Sequence, residues 1–347
     1  MLINALSLKN FKCFEEIDID FGKITLLTGA NSSGKSSLIY SILAMLQTEN
    51  FPLYLSPNGK YVNLGSYEEM VMDRKKDIEI YANFYDFLQN VQVNTIWENN
   101  ETGLPKLKQI GIKKENSVPD FKEIDEKFNY IGSYRLPPER TYYRKAQSSK
   151  IGISGEGYID QIIDWEESNP DKFKELVSKL SDLQLLTEIK SSKLKGGRFE
   201  IGVKTHKHSK VASLTDVGFG ISQFLPVIVA DLQLPNHSCL TVSQPEIHLH
   251  PKIQATLGNY LVNQINSTDK QYLVETHSEY LLNRLRLLIA KGELKPEDIK
   301  IYYLENDGEK SISHPITFTK HGEILGAPDG FFDTYMMDVF DIALTAE

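Results

Sequence analysis

The chain has 347 residues, with 38 Lys plus Arg against 47 Asp plus Glu and a formal net charge of −9. That length suffices for one large core or a core and a lobe. The acidic balance argues against wholesale electrostatic binding of nucleic acid but leaves room for a local basic patch. No apolar run approaches the ~20 residues of a membrane span, and the opening Met-Leu-Ile-Asn has no basic stretch leading into an apolar one, so a chain neither exported nor embedded is expected. Cys13 and Cys239 follow no metal or redox spacing and read as small core residues in a reducing cytoplasm.

At the start, Ile17, Ile19 and Phe21 alternate with Glu16, Asp18 and Asp20, which predicts a half-buried strand. Ile24-Thr-Leu-Leu-Thr28 predicts a short buried strand, and Gly29-Ala-Asn-Ser-Ser-Gly34-Lys35-Ser36 then fits the phosphate-binding pattern G-x-x-x-x-G-K-[ST]. The glycines let consecutive N–H groups curl around phosphate oxygens, Lys35 reaches the β- and γ-phosphates, and Ser36 offers a hydroxyl to Mg²⁺. Leu38, Ile39, Ile42, Leu43 and Leu46 recur at helical spacing, which places the phosphates at a helix N-terminus. Asn31, Ser32, Ser33, Gly34, Lys35, Ser36 and Ser37 are the expected ATP contacts. The order L-x-L-x-N-F-K-x-F before this loop resembles the start of ATP-binding cassette ATPases of the RecF, SMC and OLD class.

The middle of the chain, up to about Tyr130, reads as β-rich, with alternation over Asp77 to Phe84 and Leu107 to Ile112. No apolar heptad repeat is sustained, so the long coiled coil of true SMC proteins is not expected. Arg135 and Arg140 lie in a Pro-containing turn, where they hold either a phosphate or carboxylate or a structural ion pair. Apolar residues from Ile159 to Leu186 predict two helices broken near Asn169-Pro170. The basic stretch from Lys190 to Lys210 is either a DNA phosphate contact or a solvated strand pair and loop.

Gly218-Phe-Gly220-Ile-Ser-Gln223 precedes an apolar run and resembles the cassette signature, with Gly218 where the family usually has serine. The resemblance implies that Gly218, Gly220 and Gln223 touch the γ-phosphate held by a partner subunit. Cys239-Leu-Thr-Val-Ser243-Gln244-Pro-Glu246-Ile-His248-Leu-His250-Pro251 resembles the Walker B region of OLD-like ATPases. Ser243 stands where an acid would help hold Mg²⁺, and Gln244 stands where a glutamate would orient the attacking water. Glutamine can hydrogen-bond a water but cannot take its proton, so Glu246 and Glu275 are the nearby carboxylates that might substitute. His248 and His250 lack a third ligand for a metal site. Pro251 predicts a helix start. Glu275-Thr-His277-Ser278 ends a buried strand and resembles the switch histidine segment, and the strand–helix–strand spacing puts the two motifs side by side in a parallel sheet.

The tail from Gly326 to Asp333, with these motifs, resembles a small bacterial cassette ATPase family with a C-terminal domain of unknown function. Residues 278–347 contain no Asp-x-Asp pair, so the TOPRIM nuclease of OLD proteins is not expected. The expected fold is α/β, a P-loop ATP-binding cassette with a mixed or parallel sheet and an inserted lobe. Residues 1–70 and 201–310 would form the ATPase core, 71–200 the β-rich and helical lobe, and 311–347 the family-specific tail. The expected function is a homodimeric or higher-order ATPase, with Gln244, Glu246 and His277 catalytic and Ser36 and Ser243 toward the metal. It would control a separate effector, such as a nuclease, in anti-phage defence or DNA maintenance. The alternative is a scaffold gated by ATP with little hydrolysis; a transporter motor does not fit the RecF-like start.

Overall fold

The computed structural model describes residues 2–86, 89–114, 121–145, 148–328 and 331. Three sheets and eight α-helices are found among them. At the centre is a sheet in the order β16-β15-β14-β3-β13-β12-β7. Strands β3 (Ile24–Gly29), β7 (Phe128–Ile131), β12 (Cys239–Ser243), β13 (Gln271–Glu275) and β14 (Ile299–Asn306) run parallel; β15 (Ser311–Phe318) and β16 (Ile324–Leu325) follow antiparallel. The expected parallel pairing of β12 with β13 is present, with Ser243 opposite Glu275.

Parallel strands must be apolar on both faces, and the alternation here sorts into two cores. Leu26, Leu240, Val242, Tyr272, Val274 and Ile301 face one side. There they meet α4 (Tyr158–Ser168), α5 (Pro170–Asp182), α6 (Phe219–Gln233), α7 (Pro251–Thr268) and α8 (Glu279–Ala290). Leu27, Cys239, Leu273, Tyr302 and Leu304 face the other side, packed on α1 (Lys35–Leu46) and α3 (Phe121–Glu126). The same core takes in the antiparallel sheet β2-β1-β4-β5-β6. Its strands are β1 (Ile3–Phe11), β2 (Phe14–Asp20), β4 (Ile78–Asp86), β5 (Gln89–Asn99) and β6 (Pro105–Lys114), with α2 (Tyr67–Met70) beside it. A third sheet joins β8 (Tyr142–Tyr143), β9 (Glu188–Lys193), β10 (Arg198–Lys204) and β11 (Ala212–Ser213). Residues 71–200, read from the sequence as an inserted lobe, thus contribute strands to all three sheets.

Local signals place the helices. Gly34 caps α1 at φ 100°, Pro170 and Pro251 occupy first helical turns, and Asn169 caps α5 from its side chain. Cys239 is buried as expected, and Cys13 is half-buried but packs against the core, next to Gly34. No helix among the described residues is long and apolar enough to cross a membrane. Of the expected tail from Gly326 to Asp333, Asp329, Gly330, Phe332 and Asp333 lie outside the described residues.

One buried polar cluster fixes α6, the helix that begins at Phe219. Asp231, fully buried, accepts from Tyr272 at 2.8 Å, Gln264 at 2.7 Å, Lys270 at 3.2 Å and the Tyr260 hydroxyl. Burial next to this carboxylate pushes both tyrosine hydroxyls well above their ordinary pKa. Asp231→Ala would strand the Lys270 ammonium in the interior, and removing one partner of a buried pair costs about 3–5 kcal/mol. Chemical denaturation should register that loss, and Asp231→Ala with Lys270→Met should recover part of it.

Candidate nucleotide site

The carboxyl edge of β3, β12 and β13 converges on a cleft of about 580 Å³, the place where open α/β sheets bind ligands. Asn31, Ser32, Ser33, Gly34, Lys35, Ser36 and Ser37 line it together with Gln244, Glu275 and His277. Lys12, Cys13, Glu69 and Val71 form its remaining wall. A Cβ at Gly34 would come within 2.8 Å of both Cys13 Sγ and the Phe14 ring, and φ is 100°, so only glycine closes this turn.

Lys35 is 4% exposed, and its ammonium donates to the carbonyls of Gly29 at 3.1 Å and Ala30 at 2.7 Å. Burial lowers its pKa and Glu275 opposes that shift. Phosphate oxygens would replace those two carbonyls as acceptors. Ser36 Oγ donates to Glu275 Oε1 at 2.9 Å, and Ser243 Oγ donates to Glu275 Oε2 at 2.8 Å. The Tyr130 hydroxyl lies 3.2 Å from Ser243 Oγ. The two serines expected near the metal therefore bracket one carboxylate, and it is Glu275 rather than Glu246.

Among the described residues no group of three or more His, Cys, Asp or Glu could hold a metal ion. Magnesium in phosphate-binding sites is held through one or two carboxylates plus the phosphates and water. Glu275 with the Ser36 and Ser243 hydroxyls is such a set of hard oxygen donors.

Glu246 lies behind this set. Its Oε1 accepts from the His277 N–H at 2.7 Å, and it does not line the cleft. Burial raises its pKa, offset by that N–H and by Arg135. His277 itself stands at the cleft wall; burial and then Lys35 lower its pKa below the ordinary 6.5, which keeps the imidazole neutral near pH 7. Gln244 adopts φ 49°, donates its N–H to the Glu275 carbonyl at 2.7 Å, and lines the cleft.

Gly218, Gly220 and Gln223 are not brought to the cleft of their own chain. Gly218 is exposed and a Cβ there meets nothing within 4 Å, whereas a Cβ on Gly220 would lie 2.3 Å from the His248 carbonyl. Gln223 is buried and donates to the Leu136 carbonyl at 3.2 Å. His248 packs edge-on against Phe219 at 5.0 Å, and His250 Nδ1 caps α7 by accepting from the Lys252 N–H at 3.3 Å. Of the two flagged arginines, Arg140 makes an ion pair with Asp216, while Arg135 donates to backbone carbonyls. The stretch from Lys190 to Lys210 forms the β9–β10 hairpin and the turn after it, with Lys190, Lys193, Lys195 and Arg198 exposed. Sequence reasoning missed the wall made by Lys12, Glu69 and Val71; the lysine of N-F-K-x-F was the available signal.

The profile of a family described as an AAA ATPase domain matches residues 1–182 and 153–282. The chain belongs to this family. A second profile, described as a protein of unknown function (DUF3696), matches residues 294–342, which agrees with the resemblance of the tail. Among solved structures, the SMC head domain from Thermotoga maritima is 15% identical with a TM-score of 0.52, covering 91% of this chain and 99% of that one. An SMC head bound to the C-winged helix domain of ScpA is 16% identical with a TM-score of 0.55, covering 92% and 99%. The chain thus has the fold of an SMC head. Comparison with curated proteins finds no match. Membership of an ATPase family makes the cleft at the P-loop the candidate nucleotide site.

Lys35→Ala removes the one ammonium directed into the loop. Losing one partner of a buried charge pair costs about 2–5 kcal/mol, so ATP affinity measured with a fluorescent analogue should fall by at least about 30-fold. Unchanged affinity would sink the P-loop assignment.

Proposed function

We propose that the protein is an ATPase that dimerises on ATP, each nucleotide lying between one subunit's P-loop and the other's signature segment, and that the closed dimer controls a separate effector. The observation that carries this reading is the separation within one chain. The P-loop lines a cleft to which Gly218, Gly220 and Gln223 contribute nothing, while Gly218, at the start of α6, stands exposed elsewhere. A two-fold arrangement supplies each cleft with the missing face. An SMC head bound to a domain of another protein, as in the similar structure named above, supports a protein partner. The resemblance to bacterial cassette ATPases supports anti-phage defence or DNA maintenance, with a nuclease as the effector. DNA contact through the stretch from Lys190 to Lys210 belongs to the same proposal.

Within the site we assign Ser36 and Ser243, with Glu275, to Mg²⁺, and Gln244 and His277 to the attacking water and the γ-phosphate. Mg²⁺, when bound, neutralises charge on the phosphates. Gln244 can orient a water without accepting its proton, which makes turnover slow. A nucleotide-gated scaffold with almost no hydrolysis is the second reading, favoured by the absence of acids at positions 243 and 244.

Analytical ultracentrifugation with ATP, with ADP and without nucleotide tests the assembly. ATP alone should give the dimer, and Gly218→Asp should abolish it by placing a carboxylate against the partner's phosphate. Gly218 suits this test because its substitution leaves the packing untouched, unlike Gly220. A monomer under every condition, or a Gly218→Asp variant that dimerises like the parent, would remove the composite site.

Turnover assays separate the two readings. Gln244→Glu supplies a general base, an effect typically worth ~10²- to 10⁴-fold, and should raise the rate within that range. Glu275→Gln should abolish Mg²⁺-dependent turnover. Brisk turnover in the parent that Glu246→Gln destroys would make Glu246 the working carboxylate instead.

A further inference from the structure

Segment 132–140 runs between the two halves of the composite site without entering the cleft. Arg135, 2% exposed, donates from Nη2 to the carbonyls of Ser243 at 2.7 Å and Gln244 at 3.2 Å. Five residues on, Arg140 grips Asp216 with two bonds of 2.7 Å, just ahead of Gly218. Between them the Leu136 carbonyl accepts from Gln223 on α6. One short segment therefore ties the signature region at two points and the backbone of Gln244 at a third. Gln244 keeps its left-handed φ of 49°, a conformation that persists in such a residue only when its surroundings over-determine it. Here the Glu275 carbonyl holds its N–H and Arg135 holds its C=O.

The same residues leave polar atoms that a second arrangement would use. Arg135 Nε and Nη1 and Glu246 Oε2 are buried with no hydrogen-bond partner, and the opposite charges of Arg135 and Glu246 act on each other. Buried polar atoms left unpaired are costly. A guanidinium turned from the two carbonyls to Glu246 would satisfy these atoms and let go of Gln244. Two discrete pairings of one buried cation form the kind of two-state element through which sites couple.

We propose that segment 132–140 is a coupling strap that sets the aim of Gln244 according to the state of the signature segment in the same subunit. When a partner's nucleotide seats the signature, Arg140 and Leu136 hold the strap so that Arg135 grips the Gln244 carbonyl and its amide faces the cleft. When the signature is free, Arg135 exchanges between the two carbonyls it holds here and Glu246, and the aim of the amide is not held. Arg135 is a positioning residue, and each subunit orients its water only once it has engaged its partner. This inference rests on the composite-site reading above.

The test uses the full chain with ATP and Mg²⁺. Arg140→Ala removes an exposed ion pair, the kind that contributes little to stability, and Arg140→Asp combined with Asp216→Arg restores the pair reversed. The readouts are sedimentation, turnover, and amide exchange of the peptide spanning 243–247 in ATP against ADP. Arg140→Ala should dimerise like the parent, lose turnover by about 2- to 30-fold, and lose the ATP-dependent protection of 243–247. The reversed pair should restore both. Arg135→Lys keeps the charge without the planar fork and should lose the same protection. If turnover in the parent is too slow to measure, the exchange difference decides. A parent that does not dimerise on ATP defeats the composite site and the strap with it. A parent that dimerises, with Arg140→Ala and Arg135→Lys retaining its turnover and exchange pattern, defeats the strap alone, even if their thermal stability shifts.

Discussion

The carboxylate of Glu275 is the point on which the site depends. It occupies the last paired position of β13, opposite Ser243 on β12 and Leu27 on β3, and is 5% exposed. A carboxylate taken from water needs donors around it, and it finds them in the hydroxyls of Ser36 and Ser243. Both hydroxyls donate here, but as cation ligands they would turn their lone pairs inward. The same three groups, closed on themselves here, would serve a second arrangement around Mg²⁺ under the proposed reading. Glu275 also acts at longer range, supporting the charge of Lys35 against burial and opposing the lowering of the His277 pKa.

The chemistry at this edge is rigid because the sheet is clamped from both sides. One face carries α1 and the antiparallel sheet, and the other carries α4 to α8. The Asp231 cluster joins α6, α7 and β13 in the apolar interior, so α6 cannot slide without breaking several bonds to one carboxylate. Gly218 and Gly220 lie at the start of this anchored helix.

Much of this was legible in the chain. The start of α1 at Lys35, the start of α7 at Pro251 and the break at Pro170 depend on neighbours in sequence, and caps and periodicity report them. The identity of the carboxylate beside Ser36 did not, because the register of β12 against β13 sets Glu275 rather than Glu246 there. Cys13 packs on the core as read from the sequence, but its partial exposure depends on how a turn meets Gly34, from another segment. Arg135 and Arg140 were flagged without a choice of partner, since their acceptors lie more than seventy residues away in sequence. The wall of Lys12, Glu69 and Val71 is likewise assembled from segments that meet only in the fold.

The turn from β12 to α7 carries two non-glycine residues in left-handed backbone, Gln244 at φ 49° and His248 at φ 62°. Such residues cost on the order of 1–3 kcal/mol each, and nothing about joining a strand to a helix requires them. Between them the turn fixes the direction of one amide side chain and brings the His248 carbonyl against Gly220. Replacing either residue by glycine would relax the backbone, at the loss of an amide at 244 or of the ring that packs on Phe219 at 248. The chain gives up stability in five residues for shape at two sites, and a variant selected for thermal tolerance alone would drift away from this turn first.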